Sequence, residues 1–195
     1  MAVELWDGFG ATLKIDLRRG DRPLPKPTPE ALDRYERETG FKFPESYREW
    51  LAALGPGEFV ENFVLHAPGY PPSYRRIRLE NLDENYDNVR TIEEKYLRSS
   101  ADPSREDPDR ARRLRPFCRT HGGETIGWDP EEVTDPDRHE CAVYQLERDF
   151  TLTRLAPSFR GFVEDYIYGP GYEARVGGWK ERTFGPRRKF TPATE

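Results

Sequence analysis

TPEALDRYERETGFKFPESYREWLAALGPG, residues Thr28 to Gly57, decides how the rest of the chain is read. Thr28 is suited to an N-cap, Pro29 fits the first helical position, and Glu30 suits the positive end of a helix. These signals predict a helix to about Thr39, ended by Gly40 in the left-handed conformation that glycine adopts freely. Phe41 and Phe43 flank Lys42 and are expected to enter one core. Pro44 opens a second predicted helix. Its Tyr47, Trp50, Leu51 and Leu54 share one face by their i, i+3, i+4, i+7 spacing, and Gly55-Pro56-Gly57 stops it.

The full chain has 195 residues, room for one domain of ordinary size with arms. Apolar residues make up 35% and charged residues 34%, so the core is expected to be small. Aromatics at 13% partly compensate, because each buried ring removes a large area from water. A net charge of −5 is too mild to name a partner. No apolar run is long enough to span a bilayer, and the acidic start MAVELWDGFG is not a secretory signal, so a cytoplasmic protein is expected. Two cysteines do not make a disulfide framework. The excess of Arg over Lys and the 18 prolines fit a GC-rich bacterial source.

Outward from the helix pair, Val3–Trp6 and Thr12–Leu17 predict a β-hairpin arm, joined by the proline-rich linker up to residue 27. Glu58–His66 reads as one strand bulged at Glu61-Asn62, and Ala67–Ser73 as a loop. Glu84–Arg98 predicts a helix, and Ser99–Arg115 a charged, solvated insertion. Strands are predicted at Arg115–Arg119, Glu124–Trp128, Cys141–Glu147 and Thr151–Leu155. Gly122-Gly123 forms a turn and Asp129–Glu140 an acidic loop. Ser158 caps a last helix with the stripe Phe159, Phe162, Val163, Tyr166 and Ile167, ended by Gly169. Residues 170–195 read as a Gly/Pro-rich basic tail. Clustered strands argue for an α+β fold: an antiparallel or mixed sheet, helices on one side, and terminal arms.

Three blocks in this order resemble the SUKH superfamily, the Smi/Knr-type proteins. The first is Leu32–Thr39, Gly40–Pro44, then Tyr47 with Trp50-Leu51. The second is Gly122-Gly123-Glu124 leading to Trp128-Asp129. The third is Val143-Tyr144 followed by Leu155–Phe159 and Phe162-Val163. The resemblance covers roughly residues 28–169; the arm 1–27, the insertion near 99–115 and the tail 170–195 depart from it. It implies a non-enzymatic α+β protein-binding domain: in bacteria usually an immunity protein against a toxin from a neighbouring gene, in fungi a regulator of cell-wall synthesis. It carries over no catalytic set and no cofactor, and Trp50, Gly122, Gly123, Ser158 and Phe159 look structural. No direct nucleic-acid or membrane partner is implied, and the oligomeric state stays open.

Walker-type loops, nucleophile elbows and H-E-x-x-H are absent from the sequence. Cys118, His121, His139 and Cys141 supply the donor types of tetrahedral zinc, but their spacing matches no common zinc module, and a thiol in a strand is an ordinary small apolar residue. A metal-dependent or thiol-dependent protein is therefore the minor alternative, and a scaffold or regulator without a toxin the major one. Asp129, Glu131, Glu132, Asp135 and Asp137 read either as a solvated surface loop, since like charges favour water, or as contacts with a basic, nuclease-like partner surface. Tyr70 and Tyr74, in a proline-rich loop, read either as rings that pack the loop onto its own domain or as aromatic anchors for a partner. Trp6 and Trp179 are expected to pin the arms.

Overall fold

The helix pair forms as its signals predict. Helix α1 spans Pro29–Thr39; the Thr28 hydroxyl accepts the Ala31 N–H, and Gly40 ends it at φ 70°. Helix α2 spans Glu45–Ala53 and buries Tyr47, Trp50 and Leu51 completely. Arg48 ties the two helices, donating to Asp33 at 2.6 Å and Glu36 at 2.8 Å, while Glu36 also accepts the Phe43 N–H. The computed structural model describes residues 5–17, 19–69, 108–148, 151–176 and 188–194. The predicted helix at 84–98, the end of the 67–73 loop and Trp179 lie outside the described residues.

The pair packs on an eight-stranded sheet. In chain order its strands are β1 Lys14–Ile15, β2 Gly57–Phe59, β3 Phe63–Leu65, β4 Arg115–Thr120, β5 Thr125–Asp135, β6 Glu140–Leu146, β7 Leu152–Ala156 and β8 Lys189–Pro192. The spatial order is β1-β8-β2-β3-β4-β5-β6-β7. Neighbours are antiparallel except β1 and β8, which run parallel, so the sheet is mixed. Among the described residues the remaining helices are a 3-10 turn Phe9–Thr12, α3 Pro108–Arg113, α4 Phe159–Gly161 running into a π-helical segment Phe162–Ile167, and α5 Pro170–Val176.

One face of the sheet meets α1, α2 and the 159–172 region in an aromatic core. Phe117 stacks on Trp128 at 4.1 Å, and Trp50 meets Phe59 at 5.0 Å and Phe190 at 5.1 Å. The Ser158 hydroxyl accepts the Gly161 N–H, and Phe159, Phe162, Val163, Tyr166 and Ile167 are all buried, as their spacing predicts. The outer face has a smaller cluster, Ala111, Leu114, Ala142, Tyr144 and Leu146. It forms because alternate residues of β6 point to opposite sides: Cys141 and Val143 inward, Ala142 and Tyr144 outward.

Several expected elements differ. Among the described residues the expected N-terminal hairpin is not seen, though Val3 and Glu4 lie outside them: Lys14–Ile15 pair with β8, and Trp6 and Asp7 sit in a left-handed turn. The local alternation could not show that a partner waited at the other end of the chain. Residues 58–66 are a tight hairpin rather than one bulged strand, with Val60 at φ 46° and Glu61 at φ 56°. Such a turn ordinarily calls for Asn or Gly. Here burial of Val60 and the Lys189–Glu61 ion pair support it. The "insertion" ends in helix α3, and the "acidic loop" is the outer half of β5. The tail contributes α5 and β8, whose Phe190 is fully buried.

Candidate functional site

Strand β5 continues past Pro130, which lies where the β5–β6 register shifts between Trp128 and Val133, a place that tolerates a missing N–H. Asp129 is 0% exposed. Arg113 donates to it from Nε at 2.7 Å and Nη2 at 2.9 Å, and the Arg110 Nε lies 3.0 Å away. Burial pushes this carboxyl up, but the Arg113 hydrogen bonds, the Glu131 N–H and both guanidinium charges outweigh it and hold it below the ordinary value. Glu132 accepts from the Tyr144 hydroxyl at 2.6 Å and the Arg154 Nε at 2.9 Å; the Tyr144 bond leads in lowering its pKa. Asp135 accepts the Asp137 and Arg138 N–H groups and shapes the turn. Of the five acids expected to meet a partner, Asp129 is buried, Glu132 and Asp135 are engaged within the chain, and Glu131 and Asp137 are exposed, with Arg113 3.4 Å from Glu131. Asp129 is thus a structural anchor for α3. Tyr70 and Tyr74 lie outside the described residues.

The Cys/His set does not converge. Cys118 on β4 aligns with Ile126 and through it with Gln145, whereas Cys141 lies four residues further along β6. That offset alone is roughly 13 Å. His121 meets Glu58, and burial raises the Glu58 pKa despite His121. His139 sits in the β5–β6 turn at φ 52°. Burial pushes the Cys118 thiol well up and Cys141 to about 11, so neither is a poised thiolate. Among the described residues, no group of three or more His, Cys, Asp or Glu is placed to hold a metal ion. Gly122 and Gly123 form the expected turn between β4 and β5.

The turn of the β5–β6 hairpin brings together residues the linear pattern did not. Its Arg138 reaches α2, donating to Glu49 at 2.8 Å with Glu45 at 3.5 Å, and its carbonyl accepts the Glu45 N–H. Beside it Glu140, buried, accepts the Ser46 N–H and hydroxyl, both at 2.9 Å. Pro44 offers α2 no side-chain cap, so Glu140 caps it from across the fold. The Ser46 oxygen in turn accepts the Arg160 N–H at 3.2 Å.

A groove of about 610 Å³ opens here, lined by Leu5, Trp6, Asp7, Glu49, Ala52, Ala53, Arg138 and Arg160. Trp6, 8% exposed, packs against Trp50 and Phe159 and donates its indole N–H to Glu49 at 2.8 Å, pinning the N-terminal segment as expected. Arg160 lies 6.0 Å from the Trp6 ring and reaches Asp7 and Glu164. The groove offers ion-pairing groups, a ring and apolar floor. Arg138, alone among the acids, and Trp6 in the arm were its only traces in the sequence.

Among the described residues no helix is long and apolar enough to cross a membrane. Comparison with curated proteins and with solved structures found no match. A family profile described as SMI1 / KNR4 family (SUKH-1) matches residues 26–165, most of the chain and all three blocks of motif residues. With the α+β fold and the capped helix pair in place, the chain belongs to the SMI1/KNR4 (SUKH-1) family.

Proposed function

We propose that this protein is a non-enzymatic binding module that neutralises a toxin domain encoded by a neighbouring gene, by direct contact. Family membership carries the reading. The groove supports it, because its lining suits recognition: Trp6, small apolar residues and exchangeable ion pairs around Glu49, Arg138 and Arg160. The buried thiols and the dispersed histidines favour binding over catalysis.

The test is co-expression with the product of the adjacent gene. The expected result is a complex that survives affinity purification and restores growth to cells expressing that product. An adjacent product that is harmless alone yet still binds would replace the immunity reading with a scaffold or regulatory one. No complex at all would remove both.

A further inference from the structure

The groove beside the hairpin turn holds guanidinium groups already, and holds them loosely. We propose that it is the docking site for an arginine of a basic protein partner: the partner's guanidinium takes Glu49 and Glu45 in place of Arg138 and lies along Trp6. The inference rests on the protein-binding reading and names its surface and chemistry.

The charges favour a cation. Asp7, Glu45, Glu49 and Glu164 surround Arg138 and Arg160, and the exposed Asp137 adjoins Arg138 in the turn. The contacts present show what the site recognises. One guanidinium sits on the Glu49 carboxylate at 2.8 Å, and another stands 6.0 Å from an indole ring. The first arrangement is exchangeable. The side chains of Arg138 and Glu49 are 43% and 36% exposed, and pairs so open to water contribute little to stability. Arg138 can leave without disturbing the turn, because its N–H goes to Asp135 and its carbonyl accepts from Glu45. Glu49 stays aimed, since the Trp6 indole N–H holds its other oxygen. Leu5, Ala52 and Ala53 provide apolar surface for the stem of the incoming residue. Arginine suits this better than lysine, because a planar fork can pair with carboxylate and lie on a ring together.

The experiment uses the full chain and a capped tetrapeptide, Leu-Arg-Leu-Arg, with lysine and citrulline counterparts. The Trp6 indole N–H is followed by NMR and identified by its loss in Trp6→Phe. The arginine peptide is expected to shift this signal saturably, the lysine peptide less, and the uncharged citrulline peptide not at all. Glu49→Gln, which keeps an acceptor for Trp6, should weaken binding about fivefold, and Arg138→Gln should tighten it about threefold by removing the internal competitor. The absence of a saturable Trp6 shift, or unchanged or weaker binding by Arg138→Gln, overturns the proposal. The titration needs no natural partner, so it stands if toxin capture fails. A captured toxin indifferent to both substitutions would support the immunity reading and overturn the groove.

Discussion

Asp129 is a fully buried carboxylate on the outer face of the sheet, and its partners are Arg113 and Arg110 of α3. Removing its charge leaves two guanidinium groups facing a neutral amide. Asp129→Asn is expected to cost about 3 kcal/mol by denaturant unfolding, in the range for breaking a buried pair. The pH dependence follows from the sign of its shift. A carboxyl held below its unfolded value of about 3.9 stabilises the fold above that pH and loses the contribution as pH falls through the lower folded value. Asp129→Asn should therefore flatten the stability profile below about pH 4 as well as lower it at neutrality. Glu58 works the other way. Its folded pKa is raised by burial, so its contribution is largest in acid and declines as pH rises through the folded value. Ser46 is the second residue whose role exceeds its size. It joins the Glu140 cap to the start of α4, and Ser46→Ala should cost about 1–3 kcal/mol, because Glu140 and the Arg160 N–H both lose a partner in a buried site. Its thermal midpoint should fall accordingly.

At the scale of elements, β8 decides most. It lies between β1 and β2, and its Phe190 packs on Trp50 and Phe59. Gly57 permits the approach, since a Cβ there would run into the Thr191 carbonyl and the Phe190 ring. Phe190→Ala should destabilise by about 3–5 kcal/mol, the usual cost of emptying an aromatic site in a core. Gly57→Ala should loosen β8 specifically, seen as faster amide exchange at Phe190 and at Asp16, whose N–H donates to the Phe190 carbonyl. Where periodicity and caps sufficed, the elements were legible: α1, α2, the Cys141–Leu155 strand pair and the helix after Ser158 all carry their own signals. The outer half of β5 was not. Its acids and Pro130 read as solvated loop, and only pairing with β6 and the arginines of α3 make it a strand.

Across the whole molecule, the family profile ends at residue 165, but the core does not. Trp6, Phe190, Tyr168 and Tyr172 lie outside residues 26–165 and are all buried in it. A fragment of residues 26–165 is therefore expected to unfold without a sharp transition and to bind a hydrophobic dye, whereas the full chain unfolds cooperatively. The two chain ends also close on each other: β1 pairs with β8, Leu24 donates its N–H to Ala193, and Pro23 bridges Thr194. By itself the sequence determined the α+β class, the helix pair, the burial of Trp50 and the family, because caps, helical spacing and glycine stops act over a few residues. Only the tertiary structure decided that the tail supplies a strand between β1 and β2, that Asp129 is an anchor, and that Trp6, Glu49, Arg138 and Arg160 line one groove. Each of those depends on residues far apart in the chain, and local spacing carries no information about which distant charge or strand edge a segment will meet.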